Sequence, residues 1–246
     1  MKSKQAFTIA LVLTLLLAAN FFLFSFLESS AYRTITISRV IDGDTFKDST
    51  GTSFRLLNIN APEKSEPGYE EAKKFLALFE NKTVEIQELA PDKYGRTLAR
   101  VFAPEYLNLK LVEQGLAKKF LVEDDELKLF SQTEANAIEN QKGIWKKSQH
   151  FNCLQTKIQA EKETVEIKSL CGEVNIKDWT ITDESRKKYK FPDIDLSEVI
   201  LHTGEGKDNE TDLFWQSKQN IWNNDRDTAY IFDKEQALVH YDCYGY

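Results

Sequence analysis

Residues 6–27 are almost wholly apolar and follow Lys2 and Lys4. A run of this length exceeds the ~18 apolar residues that read as a membrane span, so an uncleaved N-terminal anchor is expected. The alternative is a signal peptide cut after Ser29-Ser30-Ala31. By the positive-inside rule, both readings place the rest of the chain outside the cytoplasm, either anchored or secreted.

From Tyr32 the pattern changes to period two. Ile35 and Ile37 alternate with polar residues, Asp42-Gly43-Asp44 marks a turn, and Ser49-Thr50-Gly51 marks a hairpin loop. Phe54 to Ile59 reads as a further strand. Ala72, Phe75, Leu76 and Phe79 fall at helical spacing, which predicts an amphipathic helix over 69–80. Strands over 83–87 and 97–102 flank the turn Asp92-Lys93-Tyr94-Gly95-Arg96. Helices are expected over 107–114, stopped by Gly115, and over 125–142, stopped by Gly143. Five short strands with inserted helices predict a small OB-type barrel over 32–150.

Beyond His150 apolar residues sit two apart in short segments: Val165 and Ile167, Trp179 and Ile181, Val199 and Leu201, Tyr230 and Phe232. Asp, Asn, Gly and Pro separate them, as in an all-β sandwich, here over 151–246. Phe151 to Glu163 is polar enough to include a linker. The division is therefore 1–31, 32–150 and 151–246.

Charge separates the two halves. The chain carries −7 overall; residues 32–150 hold 18 Lys+Arg against 19 Asp+Glu, and 151–246 hold 12 against 19. Phosphate repulsion argues against nucleic-acid binding by the acidic third alone. Cys153, Cys171 and Cys243 also lie there, and in an oxidising compartment two of them are candidates for a disulfide.

The candidate chemistry is concentrated in 40–67, where Asp42, Asp44, Arg55, Asn60 and Glu63 crowd one short stretch. Carboxylates beside an arginine could form a cation site with a phosphate clamp. Carboxylates can hold a hard cation, an arginine fork fits a phosphate, and a carboxylate can take a proton from water. Each residue alone has a plainer reading as a turn, a surface strand residue or a solvated loop acid.

In order, Ile41-Asp42-Gly43-Asp44-Thr45, Phe54-Arg55-Leu56-Leu57, Ala61-Pro62-Glu63, Asp92-Lys93-Tyr94-Gly95-Arg96, Glu113-Gln114-Gly115-Leu116-Ala117 and Gly143-Ile144-Trp145 resemble the staphylococcal-type nuclease (thermonuclease) family. The resemblance implies a Ca2+-dependent nuclease that cleaves DNA and RNA and leaves 3′-phosphates. It makes Asp44 a metal ligand, with the Asn60 amide and the Ala61 carbonyl beside it and Asp42 supporting them from just outside. Glu63 would handle the attacking water, Arg55 and Arg96 the phosphate, and Lys93 and Tyr94 the nucleotide. The sequence departs from the best-known member in having Asn60 where a second metal-binding aspartate is expected. Downstream, Leu121 and Glu123 stand where two nucleotide-flanking tyrosines are expected. A competing reading follows: a catalytically weak nucleic-acid-binding or surface adhesion protein.

The C-terminal third resembles the lamin-tail domain. Val174 to Glu184, Tyr189-Lys190-Phe191-Pro192, Leu201-His202-Thr203-Gly204-Glu205-Gly206, Thr211-Asp212-Leu213-Phe214-Trp215 and Ile221-Trp222-Asn223-Asn224-Asp225-Arg226-Asp227-Thr228-Ala229 carry that likeness. It implies an immunoglobulin-like β-sandwich and little chemistry, with Trp179, Trp215, Trp222, His202 and His240 as structural residues; a separate expectation is that this domain binds a cell-surface or protein partner and positions the nuclease.

Overall fold

The computed structural model describes Leu11, residues 13–17 and residues 32–246 of the 246-residue chain. Leu11 and 13–17 are helical and exposed. Among the described residues no helix is long and apolar enough to cross a membrane. The rest of the expected anchor, and the alternative cleavage site, lie outside them.

The first domain is a closed five-stranded barrel. Its strands are β1 (Tyr32–Val40), β2 (Thr45–Asp48), β3 (Ser53–Leu56), β5 (Thr83–Pro91) and β6 (Thr97–Phe102), in the order β1-β2-β3-β6-β5. β1 closes the ring against β5, and β3 with β6 is its parallel pair. Alternation turns Ile35 and Ile37 inward, and an irregularity in register between Ile37 and Arg39 then brings Val40 to the same side. With Phe46, Phe54, Leu56, Ile86 and Val101 they fill the barrel.

The expected strand over 54–59 is broken. Asn58 takes a left-handed φ of 67°, and Ile59–Asn60 form a separate strand, β4, paired with β7 (Lys118–Lys119). Three helices pack around the barrel: α1 (Tyr69–Ala77), α2 (Leu107–Glu113) and α3 (Leu127–Glu139), each shorter than the pattern predicted. α1 lies close to the Asp42-Gly43-Asp44 turn. A Cβ on Gly43 would stand 2.6 Å from the Ala72 Cβ and 2.7 Å from that of Ala61, so only glycine lets the turn sit this close.

The second domain contains ten strands: β8 (Leu154–Gln159), β9 (Thr164–Ser169), β10 (Val174–Asn175), β11 (Thr180–Thr182), β12 (Lys188–Lys190), β13 (Asp195–Leu196), β14 (Glu198–His202), β15 (Asp212–Phe214), β16 (Asp227–Phe232) and β17 (Leu238–Tyr244). Two four-stranded sheets, β12-β11-β16-β17 and β15-β14-β9-β8, share one apolar core. Part of the expected linker is strand β8, which pairs with β9 from Leu154 to Gln159, followed by a 3-10 turn at Ala160–Lys162. Its polar residues suit an edge strand with one face in solvent. Cys153 and Cys171 form a disulfide and Cys243 is free. Trp179 and Trp222 are buried, Trp215 packs edge-on against Trp222, His202 bonds Asp212 and His240 bonds Thr156.

The two domains are joined by more than the chain. Ala137, Ile138 and Trp145 of the first share an apolar cluster with Tyr230, Phe232 and Leu238 of the second, and Trp145 stacks on Tyr230 at 5.3 Å. The Leu238 amide donates to the Lys146 carbonyl at 2.7 Å. Beside them lies a buried ionic cluster. Lys119 Nζ reaches Glu134 Oε2 at 3.1 Å, Glu184 Oε1 at 3.0 Å and Thr228 Oγ1 at 2.5 Å. Burial opposes its charge, but Glu134 and Glu184 outweigh that and hold the amine well above its ordinary pKa.

Candidate active site

Local geometry at one end of the barrel gathers the candidate residues into a chain of contacts. β2 and β3 pair Thr45 with Arg55, which places Arg55 beside Asp44. The buried Arg55 guanidinium forms an ion pair with Asp44 Oδ1 and donates to Asn60 Oδ1 at 2.9 Å and the Ile59 carbonyl at 3.1 Å. Asp44 also accepts from the Ala61 amide and from the Thr45 hydroxyl, both at 2.9 Å. Arg96 donates to Thr45 Oγ1 at 3.3 Å while its fork grips Asp92 at 2.8 and 2.7 Å. Burial alone would raise the Asp92 carboxyl, but the Arg96 and Tyr94 hydrogen bonds prevail and leave it below its usual range.

Asp42 stands behind this group and accepts from the Asp44 amide at 3.1 Å. Burial and then the Asp44 charge push its carboxyl above the usual range. Lys93 and Tyr94 occupy the exposed turn, with Tyr94 71% accessible and the Lys93 ammonium 5.1 Å from its ring centroid. No hydrogen bond ties either side chain to the buried group among the described residues.

The hairpin between β11 and β12 in the second domain brings in a residue that the sequence did not suggest. Arg186 Nη1 donates to the Ala61 carbonyl at 2.7 Å and Nη2 pairs with Glu63 Oε1 at 2.8 Å. In the same turn, the Glu184 carbonyl accepts from Asn60 Nδ2 at 3.0 Å. Asn60, 3% exposed, therefore uses its oxygen toward Arg55 and its amide toward the second domain. An aspartate could not make the second contact, since it has no proton to donate when ionised. The only sequence signal was indirect: an amide at position 60, where the resemblance expects a charge.

A hard divalent cation takes six or more oxygen ligands. Here the Asn60 oxygen and Asp44 Oδ1 face Arg55, and the Ala61 carbonyl and Glu63 face Arg186. Among the described residues no three His, Cys, Asp or Glu side chains are grouped to hold a metal ion. As arranged, these residues do not fit the calcium that the resemblance implies.

The model of the family described as "Staphylococcal nuclease homologue" matches residues 53–147, the stretch that carries Arg55, Asn60, Glu63 and Arg96. The chain carries a staphylococcal nuclease-like domain. Over 118 residues it is 32% identical to an "Uncharacterized endonuclease" of Haemophilus influenzae, covering 46% of this chain and 66% of that protein. An "Uncharacterized endonuclease" of Escherichia coli O157:H7 is 38% identical over 87 residues, covering 33% of this chain and 57% of that protein. The "Thermonuclease" of Staphylococcus hyicus is 34% identical over 105 residues, covering 37% and 62%. The chain thus spans about three-fifths of the length of the curated relatives it matches. The family match ends before β8, so the second domain lies outside the nuclease-like domain.

Proposed function

We propose that the protein is an endonuclease, a phosphodiester hydrolase acting on DNA, RNA or both. One observation carries the reading: Arg55, Arg96 and Glu63, separated in sequence, are joined through Thr45, Asp44, Asn60, Ala61 and Arg186 in one continuous set of contacts. The Glu63 side chain is 58% exposed, so water has access to it. In this reading Glu63 takes a proton from the attacking water as oxygen bonds to phosphorus. The P–O5′ bond breaks, the departing oxygen takes a proton from solvent, and the phosphate stays on the 3′ side. Arg55 and Arg96 stabilise the charge on the phosphorus oxygens.

A second reading is supported by Asn60, whose amide has replaced the expected charge. In it the barrel binds nucleic acid without turnover. Digestion of fluorescent single-stranded DNA by the full-length protein separates the two. Glu63→Gln should lower kcat by ~10²–10⁴, the span of general base catalysis, and Arg55→Ala by ~10²–10³. Equal rates in all three proteins would remove the site assignment, and binding without cleavage would favour the second reading.

The Cys153–Cys171 disulfide and the apolar run over 6–27 support an extracytoplasmic location, anchored or secreted. Protease added to intact cells should then degrade the protein, or the culture medium should contain it; protection of the whole chain inside the cell would contradict this.

A further inference from the structure

We propose that Arg186, carried by the second domain, is a phosphate-binding residue of the nuclease site and takes the place that the resemblance gives to a divalent cation. The inference rests on the endonuclease reading. Arg186 touches the Ala61 carbonyl, expected beside the metal, and Glu63, the carboxylate expected to handle the attacking water. Arg55 already pairs with Asp44 and Arg186 with Glu63, so both carboxylates meet a guanidinium without an added ion.

Position 60 points the same way. The Glu184 carbonyl stands 3.0 Å from Asn60 Nδ2 and requires a donor there. The hairpin that delivers a guanidinium therefore also demands an amide in place of the second metal-binding carboxylate. These two departures from a calcium site are one structural event.

The hairpin is held in place for this role. Arg186 takes a left-handed φ of 73°, a conformation that non-glycine residues adopt at a cost and that persists where the surroundings enforce it. Asp183 does so from inside the turn by accepting from the Lys187 amide at 2.7 Å and the Ser185 hydroxyl at 2.5 Å. Two of the five guanidinium N–H groups reach Ala61 and Glu63, and the side chain is 26% exposed, which leaves donors for a phosphate.

Next to Arg186 a cleft of about 590 Å³, including its open mouth, runs between the domains. Lys118 and Lys188 line it together with Glu66, which pairs with Lys188 at 3.7 Å, and with Pro62, Ile144 and Phe232. Burial pushes the Lys118 amine down to about 8, so it is still largely charged at neutral pH. Cations over an apolar wall suit the phosphate and base of a neighbouring nucleotide.

The test uses the full-length protein, a fluorescein-labelled single-stranded DNA decamer, and buffers with EDTA or with Ca2+. Wild type should cleave in EDTA within about tenfold of its rate in Ca2+. Arg186→Ala should lose about 100-fold or more in kcat, the scale of a donor to developing charge, and Arg186→Lys should recover part of it. The double variant Asn60→Asp, Arg186→Ala should cleave better in Ca2+ than in EDTA. Strict calcium dependence of wild type, or unchanged or faster turnover in Arg186→Ala, would overturn the proposal. If wild type cleaves under no condition the endonuclease reading fails, and fluorescence anisotropy decides this inference separately. Tenfold weaker decamer binding by Arg186→Ala in EDTA supports the phosphate role, and equal binding refutes it.

Discussion

Asn60→Asp tests the coupling between the two domains with a change of one heavy atom. Asn60 donates to the Glu184 carbonyl at 3.0 Å and is buried. An ionised aspartate puts an acceptor against that carbonyl, and a buried acceptor left without its partner costs about 1–3 kcal/mol. Desolvating the new charge adds to this, whereas Arg55, already 2.9 Å from the retained oxygen, offsets about 1.5–3 kcal/mol through a charged hydrogen bond. The net expectation is a loss of about 2 kcal/mol at pH 8. At low pH the protonated carboxyl can donate to Glu184 as the amide does, so the loss should disappear. In linkage terms the folded pKa of the introduced carboxyl lies above its unfolded value. Stability is then fully present below the unfolded pKa and is lost as pH rises through the folded one. Urea unfolding followed by tryptophan fluorescence at pH 4.5 and pH 8 measures both values. A variant as stable as wild type at pH 8, or a deficit of equal size at both pH values, would refute the donor argument.

Two further predictions concern buried charged groups. Lys119→Met keeps most of the apolar stem but leaves Glu134 and Glu184 buried without their cation, so urea unfolding should show a loss of about 3–5 kcal/mol; a loss below about 1 kcal/mol would mean that water reaches the cluster. Asp227 is buried, and burial followed by the Glu184 charge pushes its carboxyl up to about 7. Its folded pKa thus exceeds the unfolded value of 3.8, so it binds protons more tightly when folded and stability should fall as pH rises from about 4 to about 7. Asp227→Asn should flatten that part of the wild-type pH–stability curve, and an unchanged slope would assign the effect to another group.

How much of this was legible depended on sequence distance. Barrel strands and the α1 face follow from alternation and helical spacing within ten residues, and Asp44, Arg55 and Glu63 stand in one local stretch. The break at Asn58 was not legible, because a left-handed residue between two apolar segments leaves their pattern intact. Strand β8 was read as a linker for a related reason: its ladder with β9 is made by backbone groups, and polar side chains on an edge carry no period that marks it. Arg186 lies 125 residues from the carbonyl it contacts. Nothing in Asp183-Glu184-Ser185-Arg186 distinguishes it from an ordinary polar turn; docking of the second domain creates its role.

Whether a second domain gates a site or builds it depends on how firmly the two are joined. Strand β4 carries Asn60 and pairs with β7, where Asn60 stands opposite Lys118 and Ile59 opposite Lys119. Lys119 is locked to Glu184, whose carbonyl receives the Asn60 amide, and Lys118 donates to Thr182 at 3.3 Å at the base of the same hairpin. Lifting Arg186 away by moving the whole domain would expose the ionic cluster and the shared core around Trp145. Each buried ion of such a cluster represents several kcal/mol, and fully burying one large apolar side chain adds about 1.5–3 kcal/mol. A dissociating cap of this kind would open too rarely to act as a gate. The interface and the site therefore form one mechanical unit, and linkage runs in both directions. A phosphate that binds Arg186 only in the docked state stabilises the domain interface by RT ln(1 + [L]/Kd), so DNA should protect the interface as surely as the interface positions the arginine.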